Sequence, residues 1–157
     1  MIEMVDILRL AHIVGAAVLL GTGAGIAFFM VMAHRSGEPR LIAHTAAIVV
    51  IADWLFTASV VVAQPVTGWL LAREIGWSLS EPWIVLSLAL YVCTGLCWLP
   101  VVWIQGRMRD LAREAADAGA PLPPLYHRLY ARWFALGIPA FLAVLAILWL
   151  MLTRPPL

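Results

Sequence analysis

Four long apolar stretches constrain this chain more than any other feature. They run Ile7–Met32, Ala43–Ala72, Pro82–Ile104 and Leu129–Leu152. Each is long enough to cross roughly 30 Å of hydrocarbon at about 1.5 Å per residue. Hydrocarbon offers the backbone no hydrogen-bond partner, so each stretch is expected to be an α-helix. The surroundings must be lipid, because a chain of 157 residues that is 64% hydrophobic and 12% charged, with mean hydropathy +0.95, has more apolar surface than a soluble domain of this size can hide.

The stretches are separated by turn-forming residues: Ser36-Gly37-Glu38-Pro39, then Gly76–Pro82, then Ala118–Pro124, with Pro155-Pro156 after the last. Only Arg107–His127 is a long connection, and its first half, Arg107–Ala116, reads as a polar extension of the third helix. Short links between neighbouring helices predict an all-α integral membrane protein. The expected architecture is one transmembrane domain over residues 1–157, a four-helix bundle in up-down-up-down order. Glu3 and Asp6 precede the first stretch and no basic segment does, so a retained first span is expected rather than a cleavable signal.

All ten cations are Arg, and there is no Lys. Arg35, Arg40, Arg107, Arg109, Arg113, Arg128 and Arg132 fall at one end of the bundle; Arg9, Arg73 and Arg154 fall at the other. Basic loops stay in the cytoplasm, so the expected site is a bacterial inner membrane with both termini periplasmic. Trp77, Trp83 and Trp149 then lie at the outer interface. No basic stripe suggests nucleic acid.

Polar side chains at membrane depth are costly, so their positions are the functional clues. On the first helix His12 shares a face with Ala16, Leu19 and Gly23, leaving room for something flat beside the imidazole. It is either a metal ligand or a hydrogen-bonded core histidine. The stripe Ala17, Gly21, Gly25 reads as close helix–helix packing. On the second helix Asp53, Thr57, Gln64 and Gly68 align within a narrow arc, giving either interhelical hydrogen bonds or, at Asp53, a proton or ion path. Pro65 should bend that helix and release a carbonyl. On the third, Ser87, Tyr91, Thr94, Trp98 and Gln105 share a face. Cys93 and Cys97 stand one turn apart on another, as small hydrophobes or as part of a Cu(I) site that would need more ligands. His34, His44 and His127 lie at the Arg-rich end, where a His44–His127 pair is a candidate second haem site.

The runs Leu10-Ala11-His12-Ile13-Val14-Gly15, Ala52-Asp53-Trp54-Leu55-Phe56-Thr57, Gln64-Pro65-Val66-Thr67-Gly68 and Cys97-Trp98-Leu99-Pro100-Val101-Val102-Trp103 resemble an uncharacterised family of bacterial inner-membrane proteins, a domain of unknown function, over nearly the whole chain. More distantly, the chain resembles HemJ-type protoporphyrinogen IX oxidases and the copper-resistance protein D family. HemJ-type proteins hold b-type haem through a first-helix histidine, and their His-x-x-Gly pattern with a further Gly maps onto His12, Gly15 and Gly21. Trp83 matches the Trp that opens their third helix, and Gly106-Arg107-Met108-Arg109 resembles its basic exit. Where those oxidases carry an important lysine, this chain has about Ser87, so the haem-ligand inference carries over better than the oxidase activity.

The resemblance implies a haem b protein with His12 on iron; neutral imidazole in an apolar surround suits that role. Arg9, one turn outward, is placed to pair with a propionate, and Met151 is the strongest non-histidine candidate for a second ligand. The alternatives are a five-coordinate haem and a homo-oligomer joining two copies of His12. The expected function is a membrane oxidoreductase or electron-transfer protein acting on a small hydrophobic substrate such as a porphyrinogen or quinol, with Asp53 as the candidate catalytic group. Copper or other metal transport, and a non-catalytic subunit of a larger complex, are the alternatives.

Overall fold

A computed structural model of the chain describes residues 3–155, and it is 89% helical with no strand among the described residues. Four helices account for it: α1 Met4–Ser36, α2 Pro39–Ile75, α3 Pro82–Asp117 and α4 Pro124–Thr153. Pro39, Pro82 and Pro124 occupy first turns, where a missing N–H costs nothing. α1 and α2 end at Gly37 and Gly76, whose left-handed φ of 67° and 84° suits glycine. Each helix outruns its apolar stretch. α3 continues through Arg107–Ala116 to Asp117, giving 36 residues or about 54 Å of helix, well beyond the hydrocarbon thickness.

The helices alternate up and down and pack in a ring. α1 lies on α2, α2 on α3, α3 on α4, and α4 closes more lightly on α1. Outward-facing residues such as Leu96, Trp103 and Leu152 are exposed, as lipid-facing side chains must be.

Packing is uneven along the bundle. The contiguous buried core, including Met30, Ile42, Ala46, Met108, Ala112, Tyr126 and Trp133, lies wholly in the Arg-rich half. The half nearer the termini buries scattered residues, among them Gly15, Gln64, Ala72, Trp83 and Ser87.

Two irregularities shape α2. Residues Asp53–Thr57 form a π turn, in which i→i+5 bonding winds the chain more slowly than an α-helix does. Farther on, Pro65 has no N–H to offer the Val61 carbonyl, and the Tyr91 hydroxyl of α3 donates to that carbonyl instead. The released carbonyl expected from the sequence is therefore capped by a neighbouring helix.

One packing expectation fails. A side chain added at Gly21 or Gly25 would meet nothing within 4 Å, so the Ala17, Gly21, Gly25 stripe seats no helix of the same chain. The reason is that α1 meets α2 through a different face, carrying His12, Gly15, Ile26 and Met30.

Candidate functional site

His12 is held by α2 at two points. Its Nδ1 lies 2.9 Å from Thr67 Oγ1, and the Gln64 side-chain amide donates to the His12 carbonyl at 2.9 Å. The Thr67 hydroxyl has one proton, which it donates back to its own helix, to Ala63 O at 2.9 Å or Gln64 O at 3.2 Å. With its proton on its own helix the hydroxyl accepts from His12, the arrangement in which Nδ1 carries the hydrogen and Nε2 keeps its lone pair; with the proton turned to the ring, the roles reverse. The first arrangement is the one that ligates a metal through Nε2.

Two glycines make the contact close enough. A Cβ on Gly68 would stand 3.1 Å from His12 Cε1, and one on Gly15 would stand 2.6 Å from Gln64 Nε2. Thr67 and Gly68 thus seat the imidazole, while Gly15 admits the glutamine that holds its backbone. The sequence shows these residues, but nothing in it pairs them across helices.

His12 lines a cavity of about 320 Å³ at the termini end. All four helices and the α2–α3 loop contribute: Arg9 and Ile13 from α1, Leu71 and Ile75 from α2, Trp77 from the loop, Trp83 from α3, and Leu148, Met151 and Leu152 from α4, with Arg154 just beyond it. Arg9, His12 and Met151, singled out from the sequence, come together here although they sit at opposite ends of the chain. Gly15 does not line the cavity; it acts one step removed, through Gln64. Arg154, read from sequence only as a topological charge, joins the lining. The cavity is at the small end of the roughly 300–1,000 Å³ usual for ligand pockets.

Asp53 belongs to a different site. It is 3% exposed, and its Oδ1 accepts from Trp98 Nε1 at 3.2 Å. With the Gln105 amide turned to satisfy its neighbours, its nitrogen donates to Asp53 Oδ2 at 3.0 Å and its oxygen accepts from Trp133 Nε1 at 3.2 Å. The network joins α2, α3 and α4, and no ion pair to Asp53 occurs among the described residues. The Thr57 hydroxyl, buried on the same π turn, has no hydrogen-bond partner of acceptable geometry. Fourteen residues of helix separate Asp53 from Thr67, roughly 20 Å along the axis. The stripe that a regular helix would form is split: Gln64, Thr67 and Gly68 meet α1, whereas Asp53 meets α3 and reaches α4 only through Gln105. The π turn between them supplies the change of phase.

A family model described as "Predicted integral membrane protein (DUF2269)" matches residues 6–155. The chain belongs to that family. All the cavity-lining residues and the whole Asp53 network lie within the matched part of this DUF2269 member. No curated protein and no solved structure matches the chain, so the resemblance to HemJ-type oxidases and to the copper-resistance D family has no counterpart in these comparisons.

The remaining candidates lie elsewhere. His44, on α2, is exposed, and His127, on α4, is also exposed; the two helices stand diagonally across the ring. The histidine that meets His127 is His34, with ring centroids 5.8 Å apart at 72°. His34 in turn stacks on Tyr130 at 3.5 Å and places Nδ1 3.4 Å from the hydroxyl of buried Tyr126. Cys93 is exposed and Cys97 half-buried, and no group of three His, Cys, Asp or Glu gathers among the described residues.

Proposed function

We propose that this DUF2269 member is a b-type haem-binding redox protein of the bacterial inner membrane, with His12 as an axial ligand. The observation that carries the reading is the His12–Thr67 hydrogen bond, which holds an imidazole at the wall of a four-helix cavity and, with the Thr67 proton on its own helix, leaves Nε2 free to ligate. The donor set suits the group: a neutral imidazole nitrogen, the Met151 thioether, the guanidiniums of Arg9 and Arg154, and walls of leucine, isoleucine and tryptophan.

Bound haem would supply one-electron chemistry for electron transfer or for oxidising a small hydrophobic substrate such as a porphyrinogen or quinol. The chain's own residues do the rest. Thr67 orients the His12 ring, Gln64 holds its backbone, and Gly68 lets the Cε1 edge of the ring approach α2. Met151 offers a second ligand from α4. Asp53 fits a proton-handling role, being an acid at membrane depth on a π turn, reached by the polar face of α3. The arginine asymmetry supports an orientation with the Arg-rich end in the cytoplasm and the His12 cavity on the periplasmic side.

The test is an oxidised and a dithionite-reduced visible spectrum of the detergent-purified protein, made with ample haem. A Soret band is expected, absent or displaced in His12→Ala. Thr67→Val should weaken haem retention about 10- to 100-fold, as removal of a ligand's hydrogen-bond partner does. No Soret band, before or after haemin addition, would end the proposal.

A further inference from the structure

α4 ends in an unusual way. Its C-cap is Arg154 at φ 44°, ψ 57°, the only non-glycine with positive φ among the described residues. A long side chain is strained in the left-handed region, and the residue before a proline is biased toward extended backbone. Arg154 precedes Pro155, so two local preferences are overridden at one position.

That backbone goes with a held side chain. The Arg154 guanidinium stands 4.5 Å from the centre of the Trp77 ring, and Trp77 is braced edge-on by Trp83, 5.3 Å away at 89°. Trp83 is buried, so the stack is anchored in the bundle. Arg154, Trp77 and Trp83 all line the His12 cavity, as does Arg9 from the beginning of α1. Arg9 lies 3.6 Å from Asp6, both side chains half-exposed, and Asp6 is not part of the lining. The charged lining of an otherwise apolar and aromatic cavity is therefore two guanidiniums and no acid.

From this we infer that Arg154 and Arg9 form a paired cationic rim that selects a flat apolar ligand carrying two carboxylates, with Arg154 the pre-positioned member. Guanidinium binds carboxylate through two parallel N–H donors and stacks on indole, tasks lysine performs poorly. The inference deepens the haem reading and rests on it for the location of the ligand, though not for iron.

The test uses the full chain in zwitterionic detergent with two iron-free probes, protoporphyrin IX and its dimethyl ester, read by porphyrin fluorescence anisotropy. The free acid should bind at least about tenfold more tightly than the ester, and Arg154→Gln or Arg9→Gln should each weaken the acid about tenfold, the worth of one charge-assisted bond. The ester should be unaffected, and Arg154→Lys should behave like Arg154→Gln. Equal binding of acid and ester, or no binding of either, overturns the inference. So does an equal loss of both in Arg154→Gln, which would make the arginine a support of the fold. Phospholipid headgroups present similar anionic chemistry. Displacement of porphyrin by anionic lipid, abolished in Arg154→Gln, would assign the rim to headgroups and overturn it too. Acid-over-ester discrimination without a Soret band upholds the rim and removes iron; a Soret band without discrimination does the reverse.

Discussion

Gly15→Ala should destabilise the bundle through a residue on another helix. The added methyl carbon would lie 2.6 Å from Gln64 Nε2 and 3.1 Å from Val60 Cγ1, where ordinary contact begins near 3.4 Å. The glutamine amide is the movable end of a flexible side chain, so it swings away rather than forcing the helices apart. Its hydrogen bond to the His12 carbonyl is then lost. Interhelical hydrogen bonds in membranes average about 0.6 kcal/mol and reach about 1.7 kcal/mol. Leaving a buried amide unpaired costs about 1–3 kcal/mol. The two figures describe the same loss and bracket it at about 1–2 kcal/mol for Gly15→Ala. In a Gln64→Ala background the same substitution meets only Val60 and should cost no more than about 0.5 kcal/mol, a coupling of about 1 kcal/mol. The assay is reversible unfolding in mixed micelles with increasing SDS, followed by tryptophan fluorescence across the four-member cycle. Equal cost of Gly15→Ala in both backgrounds would refute the claim that it acts through Gln64.

Three further outcomes are expected. Asp53→Leu should strand the Trp98 and Gln105 donors and lose about 1–3 kcal/mol in the same unfolding assay, whereas Asp53→Asn keeps an acceptor and should lose less. Tyr91→Phe should cost about 1 kcal/mol by uncovering the Val61 carbonyl, but little when combined with Pro65→Ala, which restores the missing helical N–H; additive losses would refute the capping role. In a protein lacking Cys93 and Cys97, Ser78→Cys should react with an impermeant maleimide on intact cells and Ser36→Cys only after permeabilisation; the opposite pattern would invert the topology.

The spans were legible because hydrophobic length is a property of single segments. The carbonyl freed at Pro65 was legible for a similar reason, since a missing N–H is local chemistry. The face of α3 carrying Tyr91, Trp98 and Gln105 was legible as a face, but its partners were not, because partnership depends on where another helix is turned. The π turn at Asp53–Thr57 carries no plain sequence signal. It turns Asp53 away from the face that carries Gln64 and Gly68, so Asp53 meets α3 while those residues meet α1. Arg9, His12 and Met151 could be named individually. Their meeting with Arg154, Trp77 and Trp83 depends on four helix ends converging, which no spacing within one segment reveals.

The lopsided core gives the bundle the mechanics of tongs. The Arg-rich half, with its continuous packing around Met30, Met108 and Tyr126, is the hinge, and the helix ends around His12 are the jaws. Hinge and jaws answer to different pressures. A change near Met108 is expected to cost the whole fold, while a change near Leu71 or Leu148 is expected chiefly to alter the cavity. Amide exchange in the empty protein should accordingly be fastest among the jaw residues, and filling the cavity should slow it there first.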